Sequence, residues 1–185
     1  MATRRALPLR YYGDPVLRKK ADPAPAVTAE VKDLALAMFE TMYREKGVGL
    51  AAPQVGVSTR VFVVDVEDEG VRVKRAFVNP VITSREGTVI GEEGCLSIPG
   101  FREDVKRAAS IVVEATDEEG TRFSLPAEGI VARAIQHEID HLDGILFIDR
   151  LSPIRRKLLE ARLKRFRAPE PSVPSVREGS SRPSL

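Results

Sequence analysis

The stretch from residue 28 to residue 46 shows the apolar spacing of a helix. Its apolar residues recur at intervals that suit one helical face, at Val31, Leu34, Ala35, Met38 and Met42. Residues spaced in this way lie on the same side of an α-helix and can be buried together. Thr28 suits the N-cap position and Gly47 suits the stop. The pattern therefore predicts an amphipathic helix over residues 28–46.

Short segments rich in β-branched residues predict the strands. They cover residues 60–66, 76–83, 110–116 and 121–125. A tight Asp117-Glu118-Glu119-Gly120 segment separates the last two strands, so they are expected to form a hairpin. Two more helices are predicted over residues 128–142 and 153–167, the second with Pro153 in its first turn. Because helices and strands do not alternate regularly, the predicted fold class is α+β.

The composition fits one folded domain followed by a tail. The 185 residues are 43% hydrophobic and 30% charged, as in an ordinary globular domain. Residues 168–185 are rich in Pro and Ser and have almost nothing to bury, which predicts a disordered tail. A single domain is therefore expected over residues 1–167. No apolar run approaches the ~20 residues that span a bilayer, so no membrane association is expected.

Net charge and cysteine content indicate the cellular compartment and the kinds of binding partner. The formal net charge of +2 gives no global case for binding nucleic acid or membranes. The single cysteine, Cys95, cannot form an internal disulfide, and a lone thiol suits a reducing compartment. These features favour a cytoplasmic protein.

The two histidines of the chain carry the strongest chemical signal. His137 and His141 flank Glu138 in the pattern His-Glu-x-x-His, on the helix predicted over residues 128–142. Two histidines four positions apart project from one helix face at the separation that a single metal ion needs. The alternative is a solvated helix that carries two histidines by chance.

A helical wheel tests that alternative by separating the faces of the helix. A polar face gathers Arg133, Gln136, Asp140 and Asp143, and an apolar face gathers Val131, Ile135, Ile139 and Leu142. The histidines lie on neither face, because they share a third arc with Ile130 and Ala134. Glu138 falls between this arc and the apolar face, so partial burial is expected. A buried carboxylate is less costly beside a metal ion, which favours the metal site.

Cys95 is the candidate for a third metal ligand. Hydrolytic sites usually have three protein ligands and one position open to water. Taken alone, a single cysteine is more often a small buried hydrophobe, but a histidine pair that lacks a third ligand favours ligation. Residues 47–56 contain three glycines, which indicate either close approach to another group or only a helix stop and a turn.

Three segments together resemble the signature motifs of the peptide deformylase family. They are residues 47–56, 93–99 and 136–144, and the resemblance extends over roughly residues 8–167. It implies one catalytic domain, in which small antiparallel or mixed sheets pack around a central metal-binding helix, with an additional C-terminal helix. It also implies the reaction: hydrolytic removal of the formyl group from the N-terminal formyl-methionine of newly synthesised proteins, with release of formate.

The resemblance further implies the cofactor and the roles of individual residues. One divalent ion would be bound by Cys95, His137 and His141, usually Fe²⁺, with Zn²⁺, Ni²⁺ or Co²⁺ as replacements. Glu138 would be the general acid and base, while the side-chain amide of Gln54 and the backbone N–H of Leu96 would hold the oxyanion. The substrate peptide would lie along Val48, Gly49 and Gly94. The candidates for the wall of its methionine pocket are Ile130, Arg133 and Ala134.

The helix predicted over residues 153–167 is strongly basic. Its cations are Arg155, Arg156, Lys157, Arg162, Lys164, Arg165 and Arg167, against the single acid Glu160. Bacterial deformylases are similar in docking a C-terminal helix on the ribosome, so the resemblance implies a ribosome contact. The alternative is a solvated helix that aids solubility. A monomer is expected.

Two other functions compete with this interpretation. A zinc endopeptidase shares the His-Glu-x-x-His pattern, but its third ligand here would have to be Glu160, in the basic helix. A metal site that only supports the fold usually has four Cys or His ligands, and this chain has three such residues in total. Both alternatives are weaker than a hydrolase that uses Cys95.

Overall fold

The computed structural model describes residues 6–164 and residue 166. Within this part of the chain lie three helices, Ala29–Arg44 (α1), Gly129–Leu142 (α2) and Pro153–Leu163 (α3). The strands there are Gly49–Ala51 (β1), Val61–Asp68 (β2), Val71–Glu86 (β3), Val89–Gly94 (β4), Arg102–Arg107 (β5), Ser110–Thr116 (β6) and Arg122–Glu128 (β7). The predicted tail at 168–185 and the basic residues Arg165 and Arg167 fall outside the described residues.

The strands form two antiparallel sheets. Five of them lie side by side in the order β1-β2-β3-β6-β7, and β4 pairs with β5 in a separate two-stranded sheet. The long strand β3 pairs with both β2 and β6, and its register with β6 shifts between Val78 and Val81. The predicted α+β class is confirmed, with described sheets that are antiparallel and not mixed.

A helix covers each face of the five-stranded sheet, and alternate side chains of β2 contact the two helices. Successive side chains of a strand point to opposite faces, so Val61 and Val63 pack with Met38 of α1. Phe62 and Val64 pack with Ile135 of α2 on the other face. A strand that is buried on both faces is apolar at consecutive positions. Helix α2 therefore lies at the centre of the molecule, as expected.

A third apolar cluster joins the two-stranded sheet to the C-terminal helix. It includes Val105 of β5, Ile98 and Phe147, and Leu159 of α3. Helix α3 begins at Pro153 as predicted, but it ends at Leu163 and not at residue 167. Among the described residues, no helix combines the length and the apolar character needed to cross a bilayer.

Every predicted helix and strand is present, but β3 extends over Val71–Glu86, beyond the predicted 76–83, and three short strands are not predicted. Helices α1 and α2 and the β6–β7 hairpin are confirmed within a few residues. At the hairpin turn, Asp117 Oδ1 accepts the backbone N–H groups of Glu119 and Thr121, at 3.0 and 2.8 Å. The missed strands are β1, β4 and β5. They contain glycines and charges that strands disfavour, so pairing and packing must stabilise them instead.

Candidate metal centre and active site

The structure brings the three predicted metal ligands together. Cys95 directly follows β4, while His137 and His141 lie one turn apart on α2. Their ligand atoms all lie within 4.8 Å of one another, and Cys95 Sγ is 3.2 Å from His141 Nε2. Burial lowers the pKa of His141 well below its usual value, so its ring is neutral and offers a lone pair. One sulfur and two ring nitrogens at this spacing fit a single divalent transition-metal ion.

Glu93 orients the His137 ring from the side away from this cluster. His137 Nδ1 lies 3.0 Å from Glu93 Oε2, and both side chains are buried. Burial raises the pKa of Glu93, but hydrogen bonds from Arg107 and His137 outweigh it and hold this pKa well below its usual range. An ionised carboxylate only accepts hydrogen bonds, so Nδ1 donates its proton to Glu93 and Nε2 is the ring nitrogen left for a metal. Burial lowers the pKa of His137, but hydrogen bonds to Cys95 and Glu93 outweigh it and hold this pKa well above its usual value. A metal ion would therefore replace a proton on Nε2.

Buried ion pairs continue from Glu93 to the polar face of α2. Arg107 donates two hydrogen bonds to Glu93, each of 2.8 Å, and a third to Asp140 Oδ2 at 2.5 Å. Arg150 binds the same Asp140 carboxylate. Asp140 is 5% exposed and Gln136 is 7% exposed. The predicted polar face is therefore not solvated at these two positions, because Arg107 and its strand β5 cover it.

Glu138 is more deeply buried than the partial burial expected for it. The residue is 4% exposed, and its Oε2 atom has no hydrogen-bond partner among the described residues. Burial raises the pKa of Glu138 to about 7. Its other oxygen, Oε1, lies so close to Gly49 that a Cβ at that position would overlap it. Gly49 is therefore required for a steric reason, because any larger residue would occupy the space of this carboxylate.

Gln54 links the 47–56 segment to the cysteine. Its Oε1 accepts the backbone N–H of Ala51 at 2.8 Å, which fixes the direction of the amide. Its Nε2 then donates to Ser97 Oγ at 3.2 Å and lies 3.5 Å from Cys95 Sγ. The structure therefore places Gln54 at the candidate metal site.

The residues predicted to bind substrate occupy different environments. Val48 and Ile130 are 50% and 47% exposed, which is high for apolar side chains, whereas Ala134 is buried. Arg133 does not project freely, because its Nη1 atom donates to Gly91 O, to Glu93 Oε1 and to Val105 O. Its guanidinium therefore ties α2 to the β4–β5 sheet.

Sequence reasoning missed several residues that shape this site. Glu93 lies in the 93–99 segment, but its contact with His137 was not predicted, and Arg107 was not singled out. Arg107 is 14 positions from Glu93 and 33 from Asp140. No local spacing pattern reveals such contacts, since they depend on how β5 packs against α2.

The donor set and the buried glutamate are those of a metallohydrolase on an α+β scaffold. Residues 6–157 match the family model described as polypeptide deformylase. The chain therefore belongs to the polypeptide deformylase family. It is a metal-dependent hydrolase that removes the formyl group from N-terminal formyl-methionine.

Individual relatives support this assignment. A peptide deformylase of Alkalilimnicola ehrlichii is 50% identical over 160 residues, which cover 86% of this chain and 90% of the relative. The crystal structure of a Thermus thermophilus peptide deformylase is 54% identical, with a TM-score of 0.79 and coverage of 86% and 94%. A Met-Ala-Ser-bound class I type b deformylase of Acinetobacter baumannii is 35% identical, with a TM-score of 0.74 and coverage of 80% and 100%.

The buried network predicts a large cost for losing its arginine. Arg107→Met leaves Glu93 and Asp140 without this partner, and breaking a buried ion pair typically costs about 3–5 kcal/mol. Urea denaturation measures the free energy of unfolding. Arg102→Met on the same strand is the matched control, because its ion pair with Glu92 is 69% and 59% exposed. That variant should lose at most about 1 kcal/mol. Equal losses in the two variants would contradict the assigned importance of the network.

Proposed function

We propose that Cys95, His137 and His141 hold one divalent metal ion and that Glu138 moves the proton during deformylation. The observation that carries this proposal is that the three ligand atoms lie within 4.8 Å of one another, while the helix that supplies both histidines also carries a buried glutamate. When bound, the ion acts as a Lewis acid and makes a water molecule more acidic. The protein must then supply a proton carrier, donors for negative charge and a place for the peptide.

Glu138 is the proton carrier in this proposal. Hydrolysis of a formamide requires that one proton leave the attacking water and that one reach the departing amine nitrogen. Glu138 Oε2 makes no hydrogen bond to any described residue, so it is free to accept a proton and return it. The close contact with Gly49 fixes where the carboxylate lies.

Gln54 and Leu96 are proposed to stabilise the oxyanion. The amide of Gln54 is held in one direction by the Ala51 N–H, and its Nε2 end faces the cysteine ligand. The N–H of Leu96 immediately follows Cys95 in the chain and donates to no other described residue. Donors fixed in advance are effective because they need no reorganisation as charge develops.

The substrate peptide is proposed to bind as an additional strand. β1, which contains Gly49, is an edge strand of the five-stranded sheet, and Gly94 ends β4. Exposed strand edges bind extended peptides through main-chain hydrogen bonds. Val48 adds exposed apolar surface beside β1.

The methionine pocket is proposed to lie along the first turns of α2. Ile130 and Ala134 are one turn apart there, and Arg133 borders them while its guanidinium binds the β4–β5 sheet. The A. baumannii relative that binds Met-Ala-Ser supports a methionyl peptide as the ligand.

Activity measurements on matched carboxylate variants test the proposal. Glu138→Gln should reduce formate release from formyl-Met-Ala-Ser by about 10² to 10⁴, the usual contribution of general acid–base catalysis. Its metal content should stay near that of the wild type. Cys95→Ser should lose the metal, whereas Glu160→Gln should change neither property. Glu160 pairs with Arg156 at 3.4 Å, which argues against the endopeptidase alternative. Full activity of Glu138→Gln would overturn the proposal.

We propose Fe²⁺ as the bound ion, because a thiolate with two imidazoles accepts it and the resemblance favours it. A thiolate beside ferrous iron is sensitive to oxygen. Iron-loaded protein should therefore lose formate release in air, with Cys95 oxidation visible by mass spectrometry or loss of bound iron. Nickel-loaded protein is the control and should stay active. Equal stability of the iron form with and without oxygen would count against iron.

We also propose one catalytic domain over residues 1–167 and a monomer in the cytoplasm. Helix α3 would contact the ribosome, since Lys157 on it and Lys164 directly after it are exposed. The apolar side chains of Ile154 and Leu158 on this helix are also 75% and 69% exposed.

Ribosome sedimentation at increasing salt tests this contact. Binding should weaken steeply with salt, because cations that neutralise phosphates release counterions. The Lys157→Glu/Lys164→Glu variant should bind more weakly than the Lys20→Glu/Arg122→Glu control, which has the same charge change elsewhere on the surface. Equal binding of both variants would remove α3 from the contact.

A further inference from the structure

A cavity lies on the side of α2 that faces away from the metal ligands. Its volume is about 420 Å³. The end of β3, the 86–89 turn, the end of β5 and α2 enclose it, and Arg150 completes it. We call it the basic cleft, and the residues that matter for its chemistry are Arg85, Thr88, Lys106, Arg107, Gln136 and Arg150. None of the three metal ligands lines it.

The cleft contains an excess of positive charge. Four cations line it, against the two carboxylates of Asp140 and Asp143. Both carboxylates are already bound: Asp140 by Arg107 and Arg150, and Asp143 by Arg60 at 2.8 Å. They therefore do not neutralise the cations at the mouth of the cleft.

The remaining cations at the mouth of the cleft are Arg85 and Lys106. Both are exposed, and neither side chain forms an ion pair or hydrogen bond with any residue that the structure describes. Arg85 comes from the end of β3 and Lys106 from β5, so two separate sheets direct unpaired charge to one cavity. Below them, the buried Arg107 side chain forms a fixed part of the wall, with 4% of its surface exposed. A concave surface lined by one sign of charge concentrates ions of the opposite sign.

We propose that the basic cleft binds a small molecule that carries a phosphate group. Guanidinium and ammonium groups are the usual partners of phosphate oxygens, and Thr88 adds a hydroxyl donor to the lining. The volume falls within the range of about 300–1,000 Å³ that is typical of small-ligand sites. This concave shape distinguishes the cleft from the convex basic surface of α3, where Arg155 and Arg156 are paired with Glu103 and Glu160.

Calorimetric titration of the metal-loaded full-length protein tests the proposal. The probes are inorganic phosphate, adenosine 5′-monophosphate and a short single-stranded RNA, each at low salt. One phosphate-bearing small molecule should bind per chain. The Arg85→Ala/Lys106→Ala variant should bind it about tenfold more weakly or worse, since it removes the charge-assisted hydrogen bonds of both unpaired cations. Formate release by this variant should equal that of the wild type, because neither residue touches the metal site.

The matched control is Lys20→Ala/Arg122→Ala, which removes one lysine and one arginine that are exposed and form no ion pair with a described residue. Its phosphate affinity should stay within about twofold of the wild type, as for distant surface charges. Three outcomes would overturn the proposal: no binding of either small probe, equal loss in both double variants, or undiminished binding by the cleft variant, which would place phosphate at the metal. RNA that binds more tightly than both small probes would also overturn it.

Discussion

The contact between Arg107 and the carboxylates of Glu93 and Asp140 is the interaction on which the site depends. Arg107 and Glu93 are each only 4% exposed in their side chains, so neither charge is compensated by water. Isolated charges at such positions would be very costly, and only their mutual pairing makes burial tolerable. Because Glu93 belongs to β4, Arg107 to β5 and Asp140 to α2, the network fixes the small sheet against the central helix. Cys95 follows β4 directly, so the same network sets the distance between the cysteine and the histidines.

Each side of α2 contacts a different part of the molecule, which explains why the helix buries charged and polar residues as well as apolar ones. Its apolar side packs on the five-stranded sheet through Ile135 and Leu142. The histidine side faces Cys95, and the polar side meets Arg107 and Arg150. A helix with charged groups on a buried face would be unstable if any partner were missing. The buried carboxylate of Glu93 has a second role that offsets the cost of burying it. It accepts the Nδ1 proton of His137 in a hydrogen bond and so orients Nε2 toward a metal.

The sequence predicts those parts of the site that depend on local spacing. His137, Glu138 and His141 follow from the helical repeat, and Cys95 follows from the small number of possible ligands. Gly49 belongs to a segment whose glycines indicate either close approach to another group or only a turn. The group that it approaches, Glu138, is 89 positions away along the chain and belongs to another element. The Arg107 network and the strands β4 and β5 are likewise products of tertiary packing. Their residues have weak strand propensity, so no local pattern distinguishes them from a loop.

Helix α2 separates the candidate metal centre from the basic cleft. Residues 137, 138 and 141 face the candidate metal centre, where Glu138 Oε2 is buried without a partner among the described residues. Residues 136, 139, 140 and 143 line the basic cleft on the other side, where Arg85 and Lys106 remain exposed. Between them lies only the width of α2, and Arg107 reaches both through Glu93 and through the cleft wall. An anion in the cleft would therefore meet a guanidinium that is already fixed by two carboxylates. Such a preorganised donor binds without first losing its conformational freedom, which favours affinity over what exposed side chains alone provide.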